Sequence, residues 1–122
     1  MNSKLIMILR IVLAIVLLVF GTNKFFHFIP MDAPPTGSFM DSLIQTEYMF
    51  PLIAITEICV GLLLLVNRWT GLALVWLAPL SINIILFHLK YDISTIGPGA
   101  LVALLNTVLI YTNWNKFKTL FN

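Results

Sequence analysis

The chain has 122 residues, 60% of them hydrophobic and only 10% charged, with a formal net charge of +2. That length allows one compact domain, and a mean hydropathy of +1.00 is more apolar surface than a soluble core of this size can bury. So small a net charge with no basic run gives no footprint for nucleic acid, and a single cysteine, Cys59, rules out an intrachain disulfide and any cysteine-built zinc or iron–sulfur centre.

The first apolar segment covers residues 5–28. About 20 apolar residues rise about 30 Å as a helix, enough to cross the hydrocarbon of a bilayer, where the backbone must bond to itself. Lys4 and Arg10, ahead of an apolar run ending at Phe20, resemble the start of a signal peptide, but Phe20-Gly21-Thr22 is a poor small-residue cleavage site and further spans follow, so the segment reads as a retained helix. Lys24 falls near its far end, and His27 reads as an interfacial residue.

The connection over residues 29–47 contains Pro30, Pro34 and Pro35, which prevent a continuous helix. Ser38 followed by Asp41 resembles a capping box, and Phe39, Met40, Leu43 and Ile44 then share one face. This predicts a short amphipathic helix in the first external loop, either a connector packed on the bundle or a gate over a pocket.

The second segment, residues 48–66, carries Glu57 nine residues from Tyr48, roughly 13 Å below the interface. An unpaired carboxylate at that depth costs about 2.5–3.5 kcal/mol on insertion scales, so Glu57 must be protonated, paired or hydrated; Lys24 and His88 are its candidate partners. It shares a helix face with Ala54 and Gly61, small residues that suit a neighbouring helix better than lipid. Cys59 reads as a packing residue. A tight turn at Asn67-Arg68 makes the second and third spans antiparallel neighbours.

The third segment, residues 70–87, holds Pro79, which should bend the helix and free a carbonyl near Val75. Asn83 and His88 lie about 140° apart around it, so both face one pocket only if the helix is reoriented there. Gly97, Pro98 and Gly99 are expected to break the chain before a fourth and weakest span, residues 100–114, which contains Asn106 and Thr107. The fallback is three spans with a peripheral helix.

Counted depths put Lys24, Glu57, Asn83, His88 and Asn106 in the outer half of the layer. These five are the candidate ligand-binding or proton-handling residues, with no catalytic residue assignable. Each has a plainer role: clamp for Glu57, interface anchor for Lys24, interhelical hydrogen bonds for Asn83 and Asn106, interface for His88. Haem or metal between His27 and His88 would need matched depth on opposed helices, and no metal site is expected. No nucleotide loop or nucleophile–base motif is present. Five basic residues (Lys4, Arg10, Arg68, Lys116, Lys118) against two (Lys24, Lys90) place both termini in the cytoplasm.

Gly21-Thr22-Asn23-Lys24 resembles the Gly-x-x-Lys at the end of the first helix in the DoxX family of small four-helix membrane proteins. Glu57-Ile-Cys-Val-Gly61-Leu-Leu-Leu-Leu with Arg68-Trp-Thr-Gly71-Leu-Ala resembles its second helix and turn, and Asn83-Ile-Ile-Leu-Phe-His88 the polar end of its third. The Gly-Pro-Gly-x-x-Ser-Leu-Asp ending of many members at the fourth helix is missing. The resemblance implies a link to quinone-dependent redox complexes, though most members have no assigned activity and related four-helix proteins include assembly factors.

The expectation is therefore an all-α, membrane-embedded four-helix bundle, multi-pass in a bacterial inner membrane. It would be a redox-associated subunit with an outer-half pocket for a quinone- or lipid-like molecule and no intrinsic cofactor. Its partners would be the bilayer, a redox or assembly protein, and further copies of itself. The alternatives are an assembly or scaffold subunit and a small-solute or proton carrier.

Overall fold

The computed structural model describes residues 2–121, and the described residues are helical with no strand. The helices are α1 (Ser3–Phe26), α2 (Phe39–Gln45), α3 (Met49–Leu65), α4 (Thr70–Tyr91) and α5 (Ile96–Thr112), with short 3₁₀ turns before and after α5. The four longer helices run up and down in a ring: α1 packs on α3, α3 on α4, α4 on α5, and α5 back on α1. Both described termini and the α3–α4 turn gather at one end, the termini end; α2 and the α4–α5 junction lie at the other, the loop end.

Among the described residues three helices are long and apolar enough to cross a membrane: α1, α4, and α5 taken together with the 3₁₀ turn before it as Ile93–Thr112. The fourth, α3, has 17 residues, the lower limit for a span, and passes a length test only together with α2, from which it is bent by 91°. Large apolar side chains such as Ile15, Leu62, Ile82 and Leu104 point outward, a surface that only lipid or another protein can cover. The protein is an integral membrane protein with an all-α bundle.

The apolar core is built from Leu13 and Leu17 of α1, Val60 and Leu64 of α3, Leu74 and Leu77 of α4, and Leu105 and Leu109 of α5. Small residues set the closest contact. A Cβ on Gly21 would lie 2.9 Å from Ile58 Cγ1, and one on Gly61 2.9 Å from Leu18 Cγ and 3.1 Å from the Ala14 carbonyl oxygen. The face expected to meet another helix does so, and that helix is α1.

Two local expectations need correction. Gly97-Pro98-Gly99 does not break the chain: α5 starts at Ile96 and contains all three residues. Pro98 is its third residue, where a backbone N–H has no partner within the helix to lose. A Cβ on Gly99 would lie 2.6 Å from Ile84 Cγ2, so this glycine lets α5 approach α4 closely. And α4 runs on past Phe87 to Tyr91, continuous through Pro79.

The short helix α2 has the expected cap. Ser38 Oγ accepts from the Asp41 N–H at 3.2 Å, while the Asp41 carboxylate accepts from the Gly37 N–H at 2.9 Å. Phe39 stacks on Tyr91 (5.5 Å between ring centroids) and meets Phe87, which ties α2 to the end of α4.

Candidate functional site

Lys24 lies two residues before the end of α1, and Glu57 lies mid-way along α3. The close α1–α3 approach at Gly21 brings the two helices together there, because that glycine packs against Glu57 Cβ and the Ala54 carbonyl. Lys24 Nζ meets Glu57 Oε1 at 2.6 Å. The Glu57 side chain is 6% exposed and that of Lys24 20%. Among the described residues Glu57 Oε1 has no aligned hydrogen-bond donor, so its contact with Lys24 is that of an ion pair. The ammonium also lies 3.4 Å from the Phe20 carbonyl oxygen and 5.7 Å from the centre of the Phe50 ring. An ion pair in a dry, low-dielectric setting neutralises both charges, and each partner becomes costly if the other is removed.

The other three sequence candidates lie apart from this pair. Asn83 is exposed on α4, and its Nδ2 donates to the Pro79 carbonyl of its own helix at 3.0 Å. His88 belongs to the α4–α5 junction: its Nδ1 is 3.1 Å from the Asp92 carbonyl oxygen and 3.3 Å from Thr95 Oγ1, and its ring flanks Gly99. Asn106 is buried and donates from Nδ2 to the Leu74 carbonyl at 3.1 Å. Leu74 is only four residues from the start of α4, so Asn106 lies in the half nearer the termini and not beside Glu57. With α5 starting at Ile96, Asn106 is about 15 Å into its helix, where a start at Ala100 gave about 9 Å. The shared outer-half cluster of five resolves into one pair and three separate side chains. The Asn106 bond goes one residue before Val75, whose carbonyl Pro79 leaves without a helical partner.

Three buried polar residues, Asn23, Thr70 and Ser81, were not among the sequence candidates; Thr70 Oγ1 donates to Asn67 Oδ1 at 3.0 Å in the α3–α4 turn. Asn23 caps the end of α1: its Oδ1 accepts from the Ile29 N–H at 2.7 Å and its carbonyl from the His27 N–H at 2.8 Å. Ser81 is 4% exposed, and its Oγ has no hydrogen-bond partner among the described residues. The signal for Ser81 is its place on the buried stripe Thr70, Leu74, Leu77, Ser81, at the spacing of one helix face. Asn23 sits inside Gly21-Thr22-Asn23-Lys24, beside the charged end of that motif, and nothing in its type or spacing sets it apart there.

A hollow of about 300 Å³ opens on the outer face between α3 and α4, lined by Leu52, Ile53, Thr56, Trp76, Pro79 and Leu80. Among the described residues, no three His, Cys, Asp or Glu side chains gather where they could hold a metal.

Fold and site define a small, multi-span α-helical membrane protein with a buried lysine–glutamate pair between its two closest helices. Residues 5–89 match the DoxX family model, and the chain belongs to the DoxX family. No curated protein and no solved structure matches it.

Proposed function

We propose that this chain is a redox-associated membrane subunit that holds the oxygen-bearing head of a quinone- or lipid-like molecule at Lys24. The observation carrying this reading is the buried 2.6 Å ion pair whose lysine remains partly exposed. An ammonium has three protons to donate. Glu57 pairs with it as a counter-ion, the Phe20 carbonyl takes a long contact, and the exposed side leaves a donor for a carbonyl or phosphate oxygen arriving from the bilayer. Glu57 keeps the site neutral in hydrocarbon, and Phe50 supplies an apolar wall with a face that favours the cation. A partner protein would bring the electrons. His88, held at the α4–α5 junction, has no part in this reading.

A second reading, a scaffold subunit in which the pair only clamps helices, is favoured by the tight glycine packing that the pair bridges. The two part in a double-mutant cycle on the full chain in detergent, with decyl-ubiquinone and a short-chain phosphatidylglycerol as probes. For the ligand site, Lys24→Met is expected to weaken binding of one probe about tenfold or more, the cost of a charge-assisted hydrogen bond. For the clamp, Glu57→Gln costs about 3–5 kcal/mol by stranding Lys24, and Lys24→Met recovers much of it. Strong coupling in stability with unchanged binding of both probes would put the scaffold reading in front.

A further inference from the structure

Asn83 is out of place on a surface that faces lipid. It lies thirteen residues into α4, about 20 Å from the start of that helix and about 12 Å from its end, within the hydrocarbon. Thr56 and Thr107, polar residues on other span surfaces, each return their one proton to a carbonyl of their own helix, at 3.0 Å and 2.8 Å. Asn83 cannot do the same. One N–H reaches the Pro79 carbonyl, while its second N–H and its own carbonyl oxygen have no partner among the described residues.

It also does not stand alone. Leu72, Trp76, Pro79, Asn83, Leu86 and Lys90 alternate at spacings of four and three, and all six are exposed. That is the a/d seam of a helix that packs against another helix, with Trp76, Asn83 and Lys90 at one position and Leu72, Pro79 and Leu86 at the other. The hollow between α3 and α4 lies along this seam, beside Trp76 and Pro79.

We infer that this seam is the contact between two copies of the chain, closed by hydrogen bonds between the two Asn83 amides. Copies inserted by the same topology rules share one orientation, so a two-fold axis along the membrane normal sets each seam residue against its own equivalent. An amide is self-complementary in that arrangement: the free N–H of one meets the carbonyl of the other. In hydrocarbon no water competes for either group, and a single polar residue at an a position fixes register. A partner of different sequence would need a matching amide at the same depth, whereas a second copy supplies one by symmetry.

The experiment uses the full chain in native membranes with Cys59→Ala as background. Leu86→Cys leaves Asn83 in place and should form a disulfide dimer on mild oxidation, while Leu104→Cys, on the outward face of α5, should not. Adding Asn83→Leu should slow the Leu86→Cys cross-link about tenfold, the size of effect a lost interhelical polar contact gives. Cross-linking at Leu104 in place of Leu86, a cross-link from Leu86 to a different protein, or a rate indifferent to Asn83→Leu would each overturn the inference. So would labelling of the Leu86→Cys thiol by a maleimide lipid together with a monomeric mass over the whole accessible concentration range.

Discussion

At Gly61 the α1–α3 contact has no slack. A methyl group there would press on the Ala14 carbonyl, which is backbone and cannot rotate away, and on Leu18. Alanine favours helix over glycine by about 1 kcal/mol, but overpacking typically costs about 1–3 kcal/mol, so Gly61→Ala should lower thermal stability in detergent. Gly71 is the control: its added Cβ would sit 3.5 Å from Phe117 Cε1, an ordinary contact, so Gly71→Ala should be neutral or slightly stabilising. Equal melting temperatures for the two variants would refute the tight-contact account. The same scale shows what a sequence displays of a site. A carboxylate and an amine within apolar runs announce themselves, because the cost of leaving either unpaired is large. Which cation Glu57 finds is decided by Gly21, a residue with no chemistry of its own, and so neither Lys24 nor His88 could be preferred before the helices were placed. Ser81 has the opposite difficulty: its hydroxyl is too common in spans to stand out, and only its place on the buried stripe sets it apart.

Elements whose signals are local were the legible ones. The range of α2 follows from Ser38, Asp41 and four apolar residues on one face, all within eight positions. At the α4–α5 junction Gly-Pro-Gly reads as a break, yet it falls in the first turn of α5, where a proline costs no helical bond and marks a start. That shift of four residues moves Asn106 from the outer half to about the middle of the layer in the depth count. The junction itself is held by polar groups at the loop end, outside the spans. Thr95 Oγ1 donates to Asp92 Oδ2 at 2.7 Å, and Ser94 Oγ to Asp92 Oδ1 at 2.9 Å. These bonds, the one from Thr95 first, hold the Asp92 carboxyl below its ordinary value of 3.8. A depressed carboxyl stabilises the fold at every pH above its unfolded value, and that contribution is lost as pH falls through the folded one. The junction should therefore keep its order down to about pH 4 and loosen only below it. A carbon-detected NMR titration should place Asp92 below 3.8 in the intact chain, and Thr95→Val should move it back toward that value. A carboxyl that titrates identically in both would show that the Thr95 bond does not form.

Across the whole molecule the charges are sorted by end. Lys4, Arg10, Arg68, Lys116 and Lys118 belong to the termini end, whereas Asp32, Asp41, Glu47 and Asp92 belong to the loop end with Lys90. Arg10 shows that such placement has local uses too. Its guanidinium donates to the Leu64 and Leu65 carbonyls in the last turn of α3, where a cation opposes the helix dipole. Trp69 and Trp114 ring the termini end, and Tyr48 and Tyr91 the loop end, at the levels where amphipathic aromatics meet head groups. This sorting was legible because it needs only the order of spans, while the ring of helix neighbours, with α1 closest to α3, depends on small residues read in three dimensions. Basic residues are retained on the cytoplasmic side during insertion. The termini end should then face the cytoplasm and α2 the opposite compartment. In a Cys59→Ala background, Thr119→Cys should resist an impermeant thiol reagent in intact cells and react after lysis, whereas Gly37→Cys, in the exposed turn before α2, should react in both. The reverse pattern would invert the protein in the membrane and place the loop end, with the Lys24–Glu57 pair in its half of the bundle, toward the cytoplasm. Labelling of both positions in intact cells would mean that the four long helices do not all cross.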